Sequence, residues 1–319
     1  MTAKPFSSLE DTTTRLEQVG YLPDARIATS AFLAARLERP LLVEGPAGVG
    51  KTELGRAMAR AQGLELIRLQ CYEGIDESRA LYEWEYGKQL LYTEILREKI
   101  GALVKEDETL DEAVRHLSEE GGAFFSETFL LERPLLRAVR SERPCLLLLD
   151  EIDKADPEFE AFLLEVLSDF AVSIPELGTL RAKVPPQVIL TSNNSRELSD
   201  PLKRRCLHLW IPLPDKEREI AILKSHLPDL DDALARGIVG AVRKLRDLDL
   251  RKAPSISEVI DWARAIRVLA HDVVDEQVLS QTIGALLKHR DDLVLAEERR
   301  RDIAEAARKA ASEDGSPQT

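Results

Sequence analysis

Two groups of residues in this chain have the types and spacing that polyphosphate chemistry needs. The first is Gly45-Pro46-Ala47-Gly48-Val49-Gly50-Lys51-Thr52, a complete G-x-x-x-x-G-K-T pattern. Gly45, Gly48 and Gly50 let the backbone fold closely enough for its N–H groups to converge on phosphate oxygens at the positive end of a following helix. Lys51 adds a mobile point charge for outer phosphates, and the Thr52 hydroxyl suits the Mg2+ that accompanies them. The plain alternative is a Gly-rich turn that only joins a strand to a helix. A complete motif between an apolar run and an apolar helical repeat disfavours that alternative.

The second group is the run Cys145-Leu146-Leu147-Leu148-Leu149-Asp150-Glu151. Consecutive leucines suit a strand buried on both faces of a parallel sheet, and the carboxyl end of such a strand is where these sheets hold ligands. Asp150 is then placed for Mg2+ or its waters, and Glu151 for polarising an attacking water. Strands often end in acids, so the pair gains meaning only beside the complete glycine loop. A further apolar run, Val188 to Ser192, ends in Asn193, either a turn residue or a group that orients the water or touches an outer phosphate. Lys203-Arg204-Arg205 follows, either a solvated basic cluster or arginines offered to a neighbouring subunit's phosphates.

These side chains need a scaffold, and the apolar periodicity predicts one of class α/β. A helix over Tyr21–Leu37 precedes a strand at Leu41–Val43; Leu54, Ala57, Met58 and Ala61 give a helix that Gly63 ends. Leu64–Gln70 alternates like a strand with one wetter face, with Gln70 read as a sheet-edge polar residue rather than a group of the nucleotide site. Tyr82–Tyr86 and Gln89–Tyr92 flank Gly87-Lys88 and predict a hairpin, with Tyr82, Trp84, Tyr86 and Tyr92 as its small core. The acidic stretch Glu94–Glu120 reads as an insertion. Asp156-Pro157 is expected to cap a helix through Phe170, and Val172–Ile174 with Thr179–Arg181 to form a short hairpin. Pro212 and Pro214 mark a boundary, after which Lys216 to about His289 reads as helices, including Ser255–Ala270. The expected division is a polar N-terminal segment over 1–20, a nucleotide-binding domain over 21–213, a helical lid over 214–292, and a charged helix fraying into a disordered tail over 293–319.

Length and composition set the outer bounds. The 319 residues hold about two domains, and 44% hydrophobic with 32% charged residues describes a globular chain. No apolar run approaches the roughly 18 residues of a membrane span, and Met1–Gly20 lacks the apolar core of a signal peptide, so a cytoplasmic setting is expected. Cys71, Cys145 and Cys206 are scattered, without C-x-x-C or a histidine pair, and read as buried reduced thiols. A net charge of −13 argues against a nucleic-acid backbone as partner.

The ordered set Gly45–Thr52, Asp150-Glu151, Asn193 and Arg204/Arg205, followed by a helical region, resembles an AAA+ ATPase. The insertion near 75–140 and the hairpin ahead of Asn193 resemble the MoxR branch. The segments Gln70–Gly74, Tyr82-Glu83-Trp84, Glu160–Phe170, Ile174–Thr179 and Leu202–Cys206 look like the MoxR-type ATPases associated with maturation of molybdenum-containing carbon monoxide dehydrogenase and its relatives. The similarity covers roughly residues 20 to 270.

This resemblance implies a five-stranded parallel sheet ordered 5-1-4-3-2, a helical lid, and a ring, usually a hexamer, with ATP at subunit boundaries. It implies Lys51 and Thr52 on phosphate and Mg2+, Asp150 on the metal, Glu151 on the water, Asn193 as first sensor, and Arg205, with Arg204 as runner-up, as the arginine finger. Where many AAA+ lids offer an arginine, this chain has Pro254-Ser255-Ile256-Ser257, leaving Arg251, Lys252 or no residue as second sensor. The function implied is ATP-driven, chaperone-like remodelling of a metalloenzyme, with a von Willebrand factor A-domain protein as partner. The rivals are a nucleotide-gated scaffold with incidental turnover and a nucleic-acid motor.

Overall fold

The computed structural model describes residues 4–88, 90, 91, 94, 129–174 and 177–313. Nine strands are present among them: β1 Leu41–Glu44, β2 Glu65–Gln70, β3 Tyr82–Trp84, β4 Leu130–Glu132, β5 Cys145–Asp150, β6 Ala171–Ile174, β7 Gly178–Arg181, β8 Gln187–Ser192 and β9 Leu207–Trp210. Five of them form one sheet in the order β2-β5-β8-β1-β9. The chain divides into two compact units interleaved along the sequence: Met1–Ser7, Ser30–Leu42 and Gln62–His208 make one, and Ser8–Thr29, Val43–Ala61 and Leu209–Thr319 the other.

In the first unit, β5 is buried at every position, as its leucine run requires of a strand covered on both faces. It pairs in parallel with β2, setting Arg68 opposite Leu148 and Gln70 opposite Asp150, and with β8, setting Leu149 opposite Leu190. β2 alternates, with Ile67 and Leu69 buried and Arg68 and Gln70 on the exposed face. Leu147, Leu149, Leu163, Val188 and Leu190 belong to one continuous apolar core; emptying such a position costs about 2–5 kcal/mol. The helix Pro157–Asp169 contributes Phe159, Leu163, Val166 and Leu167 and ends with Phe170 in the left-handed region, φ 46°. Asp156 occupies its N-cap position without a side-chain cap bond; the carboxylate instead accepts from the Gly74 amide at 3.1 Å.

Two local expectations for this unit meet different outcomes. β6 and β7 pair antiparallel, Val172 opposite Leu180, as a short hairpin. Tyr82–Trp84, by contrast, does not pair with the segment after Gly87-Lys88. Residues 86–88, 90 and 91 are helical, and β3 pairs antiparallel with β4, Tyr82 opposite Glu132. Trp84 is buried in the main core, and Tyr82 meets it edge-on with centroids 5.9 Å apart. Tyr86 is exposed, so the four-aromatic cluster is reduced to its first two members among the described residues. Tyr92 and nearly all of Glu94–Glu120 lie outside those residues.

The second unit holds helices Leu9–Gln18, Lys51–Gln62, Lys216–His226, Asp232–Arg246, Ile256–Val268, Glu276–Leu286, Arg290–Glu298 and Arg300–Ser312. Segment 1–20, expected to be polar with a weak helical pattern, contains the helix Leu9–Gln18 capped by Ser8, whose hydroxyl accepts from the Asp11 amide at 3.1 Å; Thr12 and Leu16 are fully buried. Glu219, fully buried, and Arg246, half-buried, form a two-bond fork at 2.9 and 3.0 Å, and Arg246 Nε donates to the Pro254 carbonyl at 2.9 Å. That pair fixes the turn leading to Ser255, which opens the next helix in a capping box with Glu258. Trp262, completely buried, donates its indole N–H to Thr282 at 2.8 Å. The expected charged helix is present as Arg300–Ser312, with Ile303, Ala304, Ala307 and Ala310 buried, and the expected tail beyond 313 lies outside the described residues.

Candidate functional site

The glycine loop belongs to the second unit and joins β1 to the helix Lys51–Gln62. Gly45 has φ 152° and a Cβ there would fall 2.1 Å from the Ile211 carbonyl oxygen; Gly48 has φ 73° and a Cβ there would fall 2.2 Å from Ser255 Cβ. Only glycine meets both demands, backbone conformation and space. Lys51 is buried, its Nζ donating to the carbonyls of Gly45 at 2.8 Å and Pro46 at 2.6 Å. A desolvated ammonium folded back over the loop whose amides open a helix is a fitting receptor for a polyphosphate. Pro46, Ala47 and Val49 complete the loop, and Thr52 stands in the helix's first turn.

A cavity of about 210 Å³ opens on Gly48, Val49 and Gly50 within the same unit. Ile27, Ile222 and Ile260 give it apolar walls, and Tyr21 and Arg218 add polar atoms. Burial pushes the Tyr21 phenol far above its ordinary value, so it stays a neutral hydroxyl. Arg218 donates to the Leu22 carbonyl at 2.8 Å, tying the helix Lys216–His226 to the segment that carries Tyr21. Neither residue was marked by the sequence reading; a tyrosine ahead of a helix and an arginine within one carry no local signature. Of the second-sensor candidates, Lys252 pairs with Glu258 at 2.9 Å and the Arg251 amide donates to Asp292, while Ser255 stands against Gly48.

The acid group lies in the first unit. Asp150 ends β5 with its carboxylate buried: Oδ1 accepts from the Thr191 hydroxyl at 2.6 Å, and Oδ2 accepts from Arg68 Nη2 at 2.5 Å and Nε at 3.1 Å. Glu151 breaks from the strand into left-handed backbone, φ 57°, a conformation that costs a non-glycine residue roughly 1–3 kcal/mol and persists only where its surroundings enforce it. Thr191 supplies part of that enforcement, its hydroxyl accepting from the Glu151 amide at 2.9 Å. One hydroxyl thus fixes both acids. The Asn193 amide reaches Glu151 Oε1 at 3.5 Å, the outer limit of a hydrogen bond.

Asp153 anchors the other side of this loop. Its carboxylate accepts from the amides of Asn193 at 3.2 Å and Ser195 at 3.0 Å and from the Ser195 hydroxyl at 2.5 Å. The sequence reading had singled out Asn193 but neither Thr191 nor Asp153, whose meaning comes only from pairing across the sheet. Arg204 and Arg205 end the short helix Asp200–Arg205 and are exposed; Arg205 Nε rests on Ser168 Oγ at 2.7 Å. Gln70 carries the side chain of Arg68 on its own amide oxygen. For the cation, the oxygen donors Thr52 and Asp150 are of the kind a small hard ion takes.

Residues 40–206 match the AAA domain, dynein-related subfamily. The gas vesicle ATPase GvpN of Haloferax mediterranei is 26% identical over 218 residues, covering 66% of this chain and 57% of that relative. This chain therefore spans little more than half the length of the relative. Among solved structures, the Holliday junction branch migration motor RuvB of Thermotoga maritima aligns with 90% of this chain and 72% of its own, at 18% identity and a TM-score of 0.44. A point mutant of the same RuvB aligns with 90% of this chain and 73% of its own, at 17% identity and a TM-score of 0.46. Among the described residues, no helix is long and apolar enough to cross a membrane.

Proposed function

Because this chain belongs to the AAA domain family, dynein-related subfamily, we propose that it hydrolyses ATP with Mg2+ in a ring-shaped oligomer and uses the energy to remodel a protein client. The observation that carries the hydrolytic reading is the acid group: Glu151 is held in left-handed backbone, with Thr191 on its amide and the Asn193 side chain on its carboxylate. Bound ATP supplies the anhydride to be cut, and Mg2+ neutralises charge on its oxygens. The loop Gly45–Gly50 would present backbone amides, Lys51 would pair with outer phosphate oxygens, and Thr52 and Asp150 would supply oxygen donors to the cation. Glu151 takes a proton from the attacking water, Asn193 orients that water, and Arg205, or Arg204 beside it, reaches the nucleotide of a neighbouring subunit. The cavity walled by Ile27, Ile222 and Ile260, with Tyr21 and Arg218, takes the nucleoside.

The finer reading assigns the chain to the MoxR branch, acting as a hexamer on a metalloenzyme of molybdenum hydroxylase or carbon monoxide dehydrogenase type through a von Willebrand factor A-domain partner. It is supported by the segments Gln70–Gly74, Glu160–Phe170 and Leu202–Cys206, and it keeps residues 21–213 as nucleotide-binding domain and 214–292 as lid. ATP turnover by wild type and Glu151→Gln tests the core of the proposal. The substitution is expected to lower kcat by about 10²–10⁴-fold while leaving nucleotide binding intact. A wild type inert toward ATP with Mg2+, partner and client present overturns it, and full client maturation by Glu151→Gln makes the chain a nucleotide-gated scaffold instead.

A further inference from the structure

We infer that Arg68 is a built-in counter-ion of Asp150 that competes with the divalent cation, so that loading the cation requires Arg68 to leave. The inference rests on Asp150 being the residue that holds Mg2+ in the proposed reaction. Its starting point is register. β2 and β5 run parallel with Gln70 opposite Asp150 and Arg68 opposite Leu148, so Arg68, Gln70 and Asp150 share one face of the sheet and Arg68 reaches Asp150 along the diagonal.

The contact is aimed at one oxygen. Nε at 3.1 Å and Nη2 at 2.5 Å both fall on Asp150 Oδ2, while Oδ1 accepts from Thr191; Nη2 is also held by the Gln70 amide oxygen. The Asp150 side chain is only 3% exposed, and a buried carboxylate needs a compensating positive charge. Arg68 supplies it. A divalent cation drawn to Oδ2 would face a guanidinium already within hydrogen-bonding distance of the same oxygen, and like charges that close repel strongly away from bulk water. Arg68 and the cation are therefore alternatives. The arginine side chain is 40% exposed and stands on β2, an end strand of the five-strand order, so it has solvent to move into.

This arrangement keeps the acid charge-paired and stationary without the cation, at the expense of cation affinity. The test uses the full chain carrying Glu151→Gln, a fluorescent ATP analogue and a Mg2+ titration. Adding Arg68→Gln is expected to lower the half-saturating Mg2+ about fivefold, the scale of one ion pair, with nucleotide affinity at saturating Mg2+ unchanged. In EDTA the same variant should melt below its parent and recover more when Mg2+ and nucleotide are added. Arg68→Lys, which keeps the charge but loses the fork, should shift the half-point in the same direction by less, and it carries the test if Arg68→Gln does not fold. Arg133→Gln, which removes an equal charge paired with Glu83 on the surface of the same unit, should leave the half-point where it was.

An unchanged or raised half-point in the Arg68 variants, or an equal shift in Arg133→Gln, overturns the inference while the ATPase proposal stands. A parent that binds no nucleotide at any Mg2+ concentration overturns that proposal and this inference together.

Discussion

Asp153 shows how much of this site depends on bonds that its side chains make to one another and to the backbone. Burial by itself would raise its carboxyl pKa, but the bonds from the Ser195 hydroxyl and from the Ser195 and Asn193 amides outweigh burial and hold it below the ordinary carboxylate range. The folded chain therefore binds this proton less well than the unfolded chain. The resulting stability is complete above the unfolded pKa of about 4 and is lost as pH falls through the lower folded value. Asp153→Asn turns an acceptor-only group into one that presents N–H toward a donor, and urea unfolding should find it less stable than wild type at pH 7. The gap should narrow below about pH 4. Because Asp153 positions the Asn193 backbone, the same substitution should lower kcat for ATP with little change in nucleotide affinity. A mere packing defect would not separate the two.

At the scale of elements, the second unit depends on a close crossing of the helices Asp232–Arg246 and Arg300–Ser312. A Cβ at Gly240 would stand 2.5 Å from Ala310 Cβ and 2.9 Å from the Ala306 carbonyl oxygen. Gly240→Ala would gain up to about 1 kcal/mol of helix propensity. The backbone oxygen cannot give way as a flexible side chain would, so the helices must part. A net loss of about 1–3 kcal/mol is expected, read as a lower Tm. The same crossing gives the terminal helix its buried side. Its buried face is built of Ile303 and the small residues Ala304, Ala307 and Ala310, with Gly237 facing Ala307 and Gly240 facing Ala310.

At the scale of the whole molecule, the proposed ring makes a prediction that no single chain satisfies. Arg204 and Arg205 are exposed at the end of a helix, Arg205 steadied by Ser168 and by the Pro201 carbonyl at 3.3 Å. If Arg205 completes a neighbour's site, Arg205→Ala should lose about 10³–10⁵-fold in kcat while isolated chains bind nucleotide as before. Size-exclusion chromatography with ATP should still show the oligomer. The same loss in Arg204→Ala, with Arg205→Ala active, would hand the role to its neighbour.

The glycine loop was legible from sequence because its backbone and charge demands are local: its glycines take positive φ, and Lys51 folds onto the Gly45 and Pro46 carbonyls. The space at Gly45 and Gly48, by contrast, is set by the distant Ile211 and Ser255. The acids were legible because an apolar run ends in them. The β3 pairing was not legible, since the turn signal at Gly87-Lys88 is local whereas the partner of Tyr82 is Glu132. Nor were the arrangements around the acids, where Arg68 and Asp150 are 82 residues apart and Thr191 and Asp150 are 41 apart. Sequence alone determined which groups are present and which backbone each short stretch prefers. Tertiary structure alone decided that Thr191 fixes both acids, that Asp153 holds the Asn193 loop and that Arg68 lies on Asp150, because strand register brings them together and register is a property of the assembled sheet.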